Sequence, residues 1–471
     1  MTKVEFPQEF IENTKSILPP NLTIESLLEI SQQPLRKSIR LNTLKAPAGE
    51  SLQPLLAETN AIPWCPQGYW LTNPPDYQLG NHVSHLNGQF YIQEASSMLP
   101  PMALAHLCNQ PQLVLDMAAA PGSKTTQIAA LMNNSGGLVA NELSGSRLKG
   151  LFTNIQRCGV RNSALTHFDA SVFGAALPQT FDAVLLDAPC SGEGTVRKDP
   201  EVMKKWSMAS IEELAALQKQ LIVSAFHALK PGGVLIYSTC TLNPQENQQV
   251  CQHLLEQFSG AVECRSLGNL FAGAERALTP EGYLHIWPQI YDSEGFFIAA
   301  FEKTAAVEAP PTSDFRLGQF PYQAMSHNEQ SAIETHLQQF GLKAPSDMSW
   351  YQRDNVCWLF PKAIEPLIDK VRFNRIGIRV AERHKKDYRL CHEFAIAFGA
   401  EASARTVQLN AEQAQQFLQG KDVREVAELP KKGEVLVQFE HQVLGLGKVI
   451  NQRIKNSLPR DLVRDQPVTQ F

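Results

Sequence analysis

Several familiar signatures are missing from this sequence, and each absence removes a class of function. No apolar run approaches the ~20 residues a membrane span requires. The opening residues Met1-Thr2-Lys3-Val4-Glu5-Phe6 carry no basic-then-apolar leader, so a cytoplasmic protein with no membrane partner is expected. Cysteine occurs nine times but never as C-x-x-C, and H-E-x-x-H does not occur. Neither a disulfide framework nor a structural zinc site is indicated; free thiols and no metal are expected. The formal net charge is only -5, with a pI near 6.2, which argues against nonspecific coating of nucleic acid and makes any RNA or DNA surface regional. Repeats and low-complexity tracts are absent. What remains is ordinary globular protein, 43% hydrophobic and 19% charged, whose 471 residues suffice for about three domains.

The chain is organised around Leu113-Val114-Leu115-Asp116-Met117-Ala118-Ala119-Ala120-Pro121-Gly122-Ser123-Lys124-Thr125. The apolar run suits a parallel strand covered on both faces and ending at Asp116. Ala118, Ala119 and Ala120 keep the turn slim, Pro121 and Gly122 force the chain round, and Ser123 can cap the helix that follows. Backbone N–H groups and an acidic side chain then face one crevice, which suits a nucleoside-like cofactor. A phosphate loop needs Lys directly after its second Gly and another Gly five residues before it, where this chain has Ser123 and Met117; no G-x-G-x-x-G is present either. An ordinary strand-to-helix turn without ligand is the alternative.

Upstream, helical patterns at Phe10–Leu18 and Ile24–Ile30 precede a strand-like stretch with Arg36, Lys37 and Arg40. With Trp64, Tyr69, Trp70 and Tyr77 these form either a nucleic-acid surface or a solvated charged face beside a small core. A helical stretch from Gln93 to Leu107 is expected to break at Pro100-Pro101. Downstream, the strand-helix unit recurs. Leu138-Val139-Ala140 ends at Glu142, about 20 residues after Gly122, where an acid can accept both ribose hydroxyls. Ala164-Leu165-Thr166 precedes Asp169, which either binds a base amino group or caps a helix. Phe181–Leu186 runs into Asp187-Ala188-Pro189-Cys190, and a helix over Ile211–Leu229 returns the chain to Val234–Cys240. Five such repeats predict a doubly wound parallel sheet, closed by an antiparallel hairpin of Tyr283–Ile286 and Phe296–Phe301.

Thr304–Asp314 reads as a linker, followed by a small α+β segment. Between Lys362 and Arg389 there are nine Lys or Arg (362, 370, 372, 375, 379, 383, 385, 386, 389) against four acids (365, 369, 382, 387), the best regional candidate for phosphate contacts. Short strands then dominate. The expected divisions are an N-terminal RNA-binding region at 1–93, a catalytic domain at 94–303, a linker with an α+β region at 304–378 and a β-rich module at 379–471.

Cys190 and Cys240 follow the fourth and fifth strands at the carboxyl edge of the sheet, where ligands bind. Each alone reads as a buried, inert cysteine; two in one crevice point to chemistry. Pyrimidine C5 is a poor nucleophile. Methylating it requires a thiolate to add at C6, so that C5 can attack the methyl of S-adenosylmethionine, and then a group that helps a proton leave C5. Asp187 can hold the polar edge of the base. An amino-group methyltransferase would want an Asp/Asn-Pro-Pro-aromatic strand end, where this chain has Asp187-Ala188-Pro189-Cys190. A noncatalytic RNA-binding or assembly factor is the rival from another class, and the intact cysteine pair argues against it.

Asp116 to Thr125, Asp187-Ala188-Pro189-Cys190-Ser191-Gly192 and Ser238-Thr239-Cys240-Thr241-Leu242-Asn243-Pro244-Gln245-Glu246-Asn247 together resemble the RNA (cytosine-5)-methyltransferases of the Sun and nucleolar-protein type. The resemblance covers about residues 90 to 303, including Gly295-Phe296-Phe297-Ile298-Ala299. Gly445-Leu446-Gly447-Lys448 and Lys455-Asn456-Ser457-Leu458-Pro459-Arg460 are similar to bacterial small-subunit ribosomal RNA methyltransferases that end in a PUA-like RNA-binding domain. The resemblance implies a Rossmann-like class I methyltransferase sheet with S-adenosylmethionine as cofactor. It implies that Ala118 to Lys124 form the cofactor loop, that Glu142, Asp169 and Asp187 are further cofactor-site acids, that Cys240 is the nucleophile and that Cys190 assists release. It also implies a cytidine of 16S rRNA near the decoding region as substrate, within the 30S subunit; a monomer is expected.

Overall fold

Both faces of the central sheet are apolar, which is why its strands read as near-continuous hydrophobic runs. The computed structural model describes residues 4–45, 47, 49–311, 318–385, 387–464 and 468. Met1 to Lys3 of the expected leaderless start, residues 312–314 of the expected linker, and Lys386 of the basic stretch lie outside them. The parallel strands are β5 (Leu113–Asp116), β6 (Gly137–Asn141), β7 (Ser163–Thr166), β8 (Phe181–Asp187) and β9 (Leu229–Thr239). Before them come β1 (Ser38–Leu41), β2 (Thr59–Ile62), β3 (Cys65–Leu71) and β4 (Phe90–Ile92), which form a separate sheet in the order β2-β3-β1-β4. After them come β10 (Val262–Cys264), β11 (Leu284–Ile286) and β12 (Phe296–Lys303).

The order across the large sheet is β10-β12-β9-β8-β5-β6-β7, with β5 to β9 parallel and β12 antiparallel to β9. The chain leaves β5 toward β6 and β7, then returns to β8 on its other side. The switch point of the doubly wound sheet therefore lies between Asp116 and Asp187, where open parallel sheets form their ligand crevice. The terminal hairpin is present: β11 pairs with one end of β12 and β10 with the other.

Alternate residues face opposite layers. Val114, Leu138, Leu165, Leu185 and Ile236 pack under the helices Leu99–Leu107, Ser123–Leu131 and Gly145–Arg157. Leu115, Val139, Ala164, Val184 and Leu235 pack against Met208–Ala228 and Gln248–Gln257, and also against Ile364, Leu367 and Val371 from beyond the catalytic domain. Pro100 and Pro101 do not break a helix. They open Leu99–Leu107, where the first N–H groups have no intrahelical acceptor and proline removes nothing. Among the described residues no helix is long and apolar enough to cross a membrane.

The C-terminal half holds β13 (Gln323–Ala324), β14 (Met348–Arg353), β15 (Val356–Pro361), β16 (Arg375–Ile376), β17 (Ile378–His384) and β18 (Asp387–Leu390). β16 joins the large sheet as the antiparallel neighbour of β7, while β13-β14-β15-β17-β18 make a third sheet. The expected division at residues 378/379 cuts into this sheet at β17, because the strand pairs that bury its apolar face run on to Leu390. A last sheet, β19 (Thr406–Gln408), β20 (Gly433–Phe439), β21 (Gln442–Ile450) and β22 (Arg453–Asn456), follows the helix His392–Phe398. It is clasped to the N-terminal region through Glu440, which accepts from Ser51 N at 2.8 Å and Ser51 Oγ at 2.7 Å.

Candidate active site

The turn after β5 is tied to both neighbouring strands. Met117 N donates to Leu185 O at 3.0 Å, and Ala119 N donates to Asn141 O at 2.8 Å. The Ala120–Pro121 bond is cis. Gly122, at φ 105°, occupies the cap position of Ser123–Leu131, so Ser123 is the first helical residue and not the cap. The left-handed conformation explains the displacement, since glycine adopts it without a Cβ penalty. Thr125 Oγ1 reaches back to Asp116 Oδ2 at 2.7 Å. Asp116 is buried, its Oδ1 has no hydrogen-bond partner of good geometry, and burial pushes its carboxyl up to about 7.

The other acids occupy different surroundings. Glu142 is buried just beyond β6; its Oε1 accepts from Ser144 N at 2.8 Å and its Oε2 lies 3.5 Å from Arg147. Asp169 is exposed and caps a short turn, accepting from Ser171 N at 2.9 Å. Asp187 ends β8. Its Oδ2 is 2.6 Å from Lys124 Nζ and its Oδ1 accepts from Ser238 Oγ at 2.8 Å. Lys124 Nζ also donates to Ser97 Oγ at 3.1 Å. Burial alone would lower the lysine, but the adjacent Asp187 carboxylate outweighs it and raises Lys124 above the ordinary range.

Cys190 and Cys240, far apart in sequence, stand with their sulfurs 3.3 Å apart. Both are partly exposed at the ends of the paired strands β8 and β9. The contact with Cys240, reinforced by burial, pushes the Cys190 thiol well above its usual value. The two loops are locked together by carboxylates that sequence patterns did not single out. Glu246, fully buried, accepts from Ser191 N at 2.9 Å and Gln218 Nε2 at 2.8 Å. Glu193 Oε2 accepts from Thr241 Oγ1 at 2.8 Å and from the N–H groups of Leu242 and Asn243, each at 3.0 Å. Gly194 N donates to Cys240 O at 2.9 Å, and a Cβ on Gly194 would lie 2.1 Å from Gly295 O, so the β12 loop closes against the site only over glycine.

Asn141 was also missed. Its Oδ1 accepts from Thr166 Oγ1 at 2.9 Å and its Nδ2 donates to Met117 O at 3.1 Å, joining three strand ends beneath the crevice. A lone Asn closing an otherwise apolar buried strand was the available signal.

The two basic regions divide between structural contacts and exposed positions. Arg40 is buried, donating to Gln93 Oε1 at 2.8 Å and Thr126 Oγ1 at 2.9 Å. Arg36 stacks over Trp70 at 3.9 Å and pairs with Asp292, while Trp64 and Trp70 are buried. Arg36, Arg40, Trp64 and Trp70 weld the N-terminal sheet to the catalytic domain, whereas Tyr69 and Tyr77 are half-buried and Lys37 is exposed. In the 362–389 stretch, Arg375 lies against Phe152 and Trp358 and pairs with Glu393, and Arg379 pairs with Glu382 at 2.9 Å. Lys362, Lys370, Arg372, Arg383 and Lys385 are exposed, and Arg389 of the same stretch lines, with Tyr388, Arg405, Lys432, Lys448 and Lys455, a polar cleft of about 550 Å³ between the third and fourth sheets.

Residues 102–302 match the family described as 16S rRNA methyltransferase RsmB/F. Residues 6–95 match the N-terminal domain of 16S rRNA methyltransferase RsmF. Residues 322–398 match the ribosomal RNA small subunit methyltransferase F pre-PUA domain, running past residue 378 as the third sheet does, and 404–464 match the methyltransferase RsmF PUA domain. The chain is 51% identical over 467 residues to ribosomal RNA small subunit methyltransferase F of Escherichia coli O81, covering 98% of this chain and 97% of that one. It is 52% identical over 473 residues to the protein of the same name from Vibrio campbellii, covering 98% of each. Among solved structures, a methyltransferase homolog protein from Pyrococcus horikoshii is similar with a TM-score of 0.53 and 32% identity, over 63% of this chain and 95% of that one. NSun6 from the same organism shares the fold, with a TM-score of 0.55 and 22% identity over 64% and 99%.

Proposed function

Because the chain belongs to the ribosomal RNA small subunit methyltransferase F family, we propose that it methylates C5 of one cytidine in 16S rRNA, near the decoding region, with S-adenosylmethionine as methyl donor. The observation that carries the reading is the pair of sulfurs 3.3 Å apart at two strand ends beside the crevice. Cytosine C5 becomes nucleophilic only when a thiolate has added at C6, so a cysteine is needed to open the reaction and a proton-handling group to close it. Cys240 is assigned the addition. Cys190, in contact with it, gives its thiol proton to the departing sulfur and takes the C5 proton in exchange; Cys240 then returns one proton to solvent, and the C5–C6 double bond is restored.

The crevice fits the cofactor on three features. Asp116 presents a buried carboxyl oxygen with no hydrogen-bond partner of good geometry, Ala118 to Ala120 bring no bulk, and Glu142 stands beyond the next strand. S-adenosylmethionine, when bound, supplies a methyl group activated by the sulfonium charge. Glu142 is the acid for the ribose hydroxyls, Asp169 the outer polar contact, and the segment from Ala118 through Pro121, Gly122 and Ser123 to Lys124 forms the floor. Asp187, held by Lys124 and Ser238, faces the base.

RNA docks on the cleft between the third and fourth sheets, where Arg389, Lys432, Lys448 and Lys455 are exposed beside the Tyr388 ring. The working form in this reading is a cytoplasmic monomer without metal, acting on the 30S subunit. Bisulfite sequencing of 16S rRNA from a strain lacking the gene, with and without a plasmid copy, tests it. One cytidine should resist conversion only when the protein is present; identical conversion in both strains would overturn it.

A further inference from the structure

The residues that follow the two cysteines are bonded to each other. Ser191 Oγ and Thr241 Oγ1 lie 2.8 Å apart, Gly194 N donates to Cys240 O at 2.9 Å, and Asp187 and Ser238 are register partners at the ends of β8 and β9. The two loops are thereby held side by side. Paired strands run roughly 4.8 Å apart and disulfide bridges span Cα separations of roughly 4.4 to 6.8 Å, so loops leaving neighbouring strands can carry a bridge between them. The sulfurs are 3.3 Å apart, and a bond of about 2 Å needs an approach of only about 1.3 Å. Four cysteines reach solvent at least in part: Cys108, Cys190, Cys240 and Cys264. The thiols of Cys108 and Cys264 turn to backbone carbonyls, Asp182 O at 3.8 Å and Glu281 O at 3.2 Å, and the other five cysteines are buried.

We propose that Cys190 and Cys240 are also an oxidation site, at which a peroxide joins them in a reversible disulfide. One sulfur, as its thiolate, attacks a peroxide oxygen; the O–O bond breaks, leaving a sulfenic acid and one water. The second sulfur attacks the sulfenic sulfur, the S–O bond breaks, and that oxygen leaves as a second water. The pair gives up two electrons and two protons, and the peroxide takes them. Further oxidation to a sulfinic acid needs another peroxide from solution, whereas the second thiol is already in contact, so closure of the bridge outruns it. A disulfide offers neither a thiolate for C6 nor a thiol proton for elimination. Both steps of the proposed methylation therefore stop together, a loss that rests on the proposed function as the bridge itself does not.

The test treats full-length protein with hydrogen peroxide, alkylates it, and maps its peptides by mass spectrometry before and after dithiothreitol. Two of the nine thiols should be lost to alkylation, in a linked pair of peptides that joins Cys190 to Cys240 and is two hydrogens lighter than its parts. Methyl transfer should fall to background in step with the linked fraction and return with dithiothreitol. With Cys190→Ser, the same peroxide dose should instead drive Cys240 to the sulfinic acid, which dithiothreitol does not reverse. The proposal is overturned if peroxide leaves both thiols free, if either is oxidised singly without the link, if other cysteines link first, or if Cys240 resists sulfinic acid equally well without Cys190. Should that variant fail to fold, the linkage map of the parent protein decides. A protein that links the pair but transfers no methyl group even before oxidation would sink the proposed function and leave the oxidation site standing.

Discussion

Lys124 Nζ lies 2.6 Å from Asp187 Oδ2, an ion pair that spans the switch point of the sheet, from the helix after β5 to the end of β8. Because Lys124 is largely buried, each partner needs the other. Asp187→Asn should lower stability by about 1 to 3 kcal/mol, less than for a wholly buried pair because Asp187 is partly exposed. The double variant with Lys124→Met should lose less than the sum of the two single losses. Urea denaturation of the four proteins measures the coupling; strict additivity would show that the contact contributes nothing.

Asp116 predicts a pH dependence. Its carboxyl is raised to about 7 from an ordinary value of 3.8, so the folded state holds a proton that the unfolded state releases. The associated stability is fully present below the unfolded value and is lost as pH rises through about 7. Asp116→Asn should therefore flatten the stability curve over that interval and gain relative to the parent at pH 8, by up to roughly 4 kcal/mol. Thermal unfolding at pH 4, 6 and 8 measures the slope, and parallel curves would reject the assignment.

The doubly wound core was legible because each buried strand leaves a run that no exposed strand would show, and Leu113–Asp116 and Phe181–Asp187 appear where those runs stand. Cys190 and Cys240 were legible because strand ends bring distant loops together. Glu193 and Glu246 were not, since a buried carboxylate satisfied by neutral donors has the same sequence appearance as a solvated one. Arg40 misled for the mirror reason. Its positive charge suggested solvent or phosphate, whereas Gln93 and Thr126 satisfy it in the interior. The course of the chain near residue 378 was not legible, because β16 and β17 are consecutive in sequence yet belong to different sheets.

Glu142 tests the cofactor crevice. One of its oxygens is held by Ser144 N, which fixes the side chain before any ligand arrives. Glu142→Ala should weaken S-adenosylmethionine binding by about 1.5 to 3 kcal/mol if it accepts charge-assisted hydrogen bonds from the ribose. Calorimetry without RNA reads this directly, and unchanged affinity would remove Glu142 from the site.

The docking cleft calls for point substitutions. Removing everything after residue 303 would also strip Ile364, Leu367 and Val371 from the sheet they cover, and the edge strand β16 with Ile376 from the sheet itself. Lys448→Ala and Lys455→Ala should each weaken RNA binding across sequences and reduce the slope of log affinity against log salt by about one. Cofactor affinity should not change. Filter binding at several salt concentrations provides the slopes; slopes equal to the parent would place the RNA elsewhere.

The division of labour between the two thiols makes the sharpest prediction. If Cys240 forms the bond to C6, Cys240→Ala should abolish both methyl transfer and any covalent protein–RNA species, because C5 is never activated without that addition. RNA binding should survive, since neither cysteine lines the proposed docking cleft. Cys190→Ala should still allow addition and methyl transfer but slow the elimination, because the departing sulfur loses its proton donor and C5 its acceptor. Protein linked to RNA through Cys240 should then accumulate. A denaturing gel after incubation with RNA and S-adenosylmethionine, followed by peptide mapping of the shifted band, separates the outcomes. An adduct in the Cys240 variant and none in the Cys190 variant would exchange the two roles. Identical behaviour of the two variants would leave the 3.3 Å contact between the sulfurs without a chemical purpose.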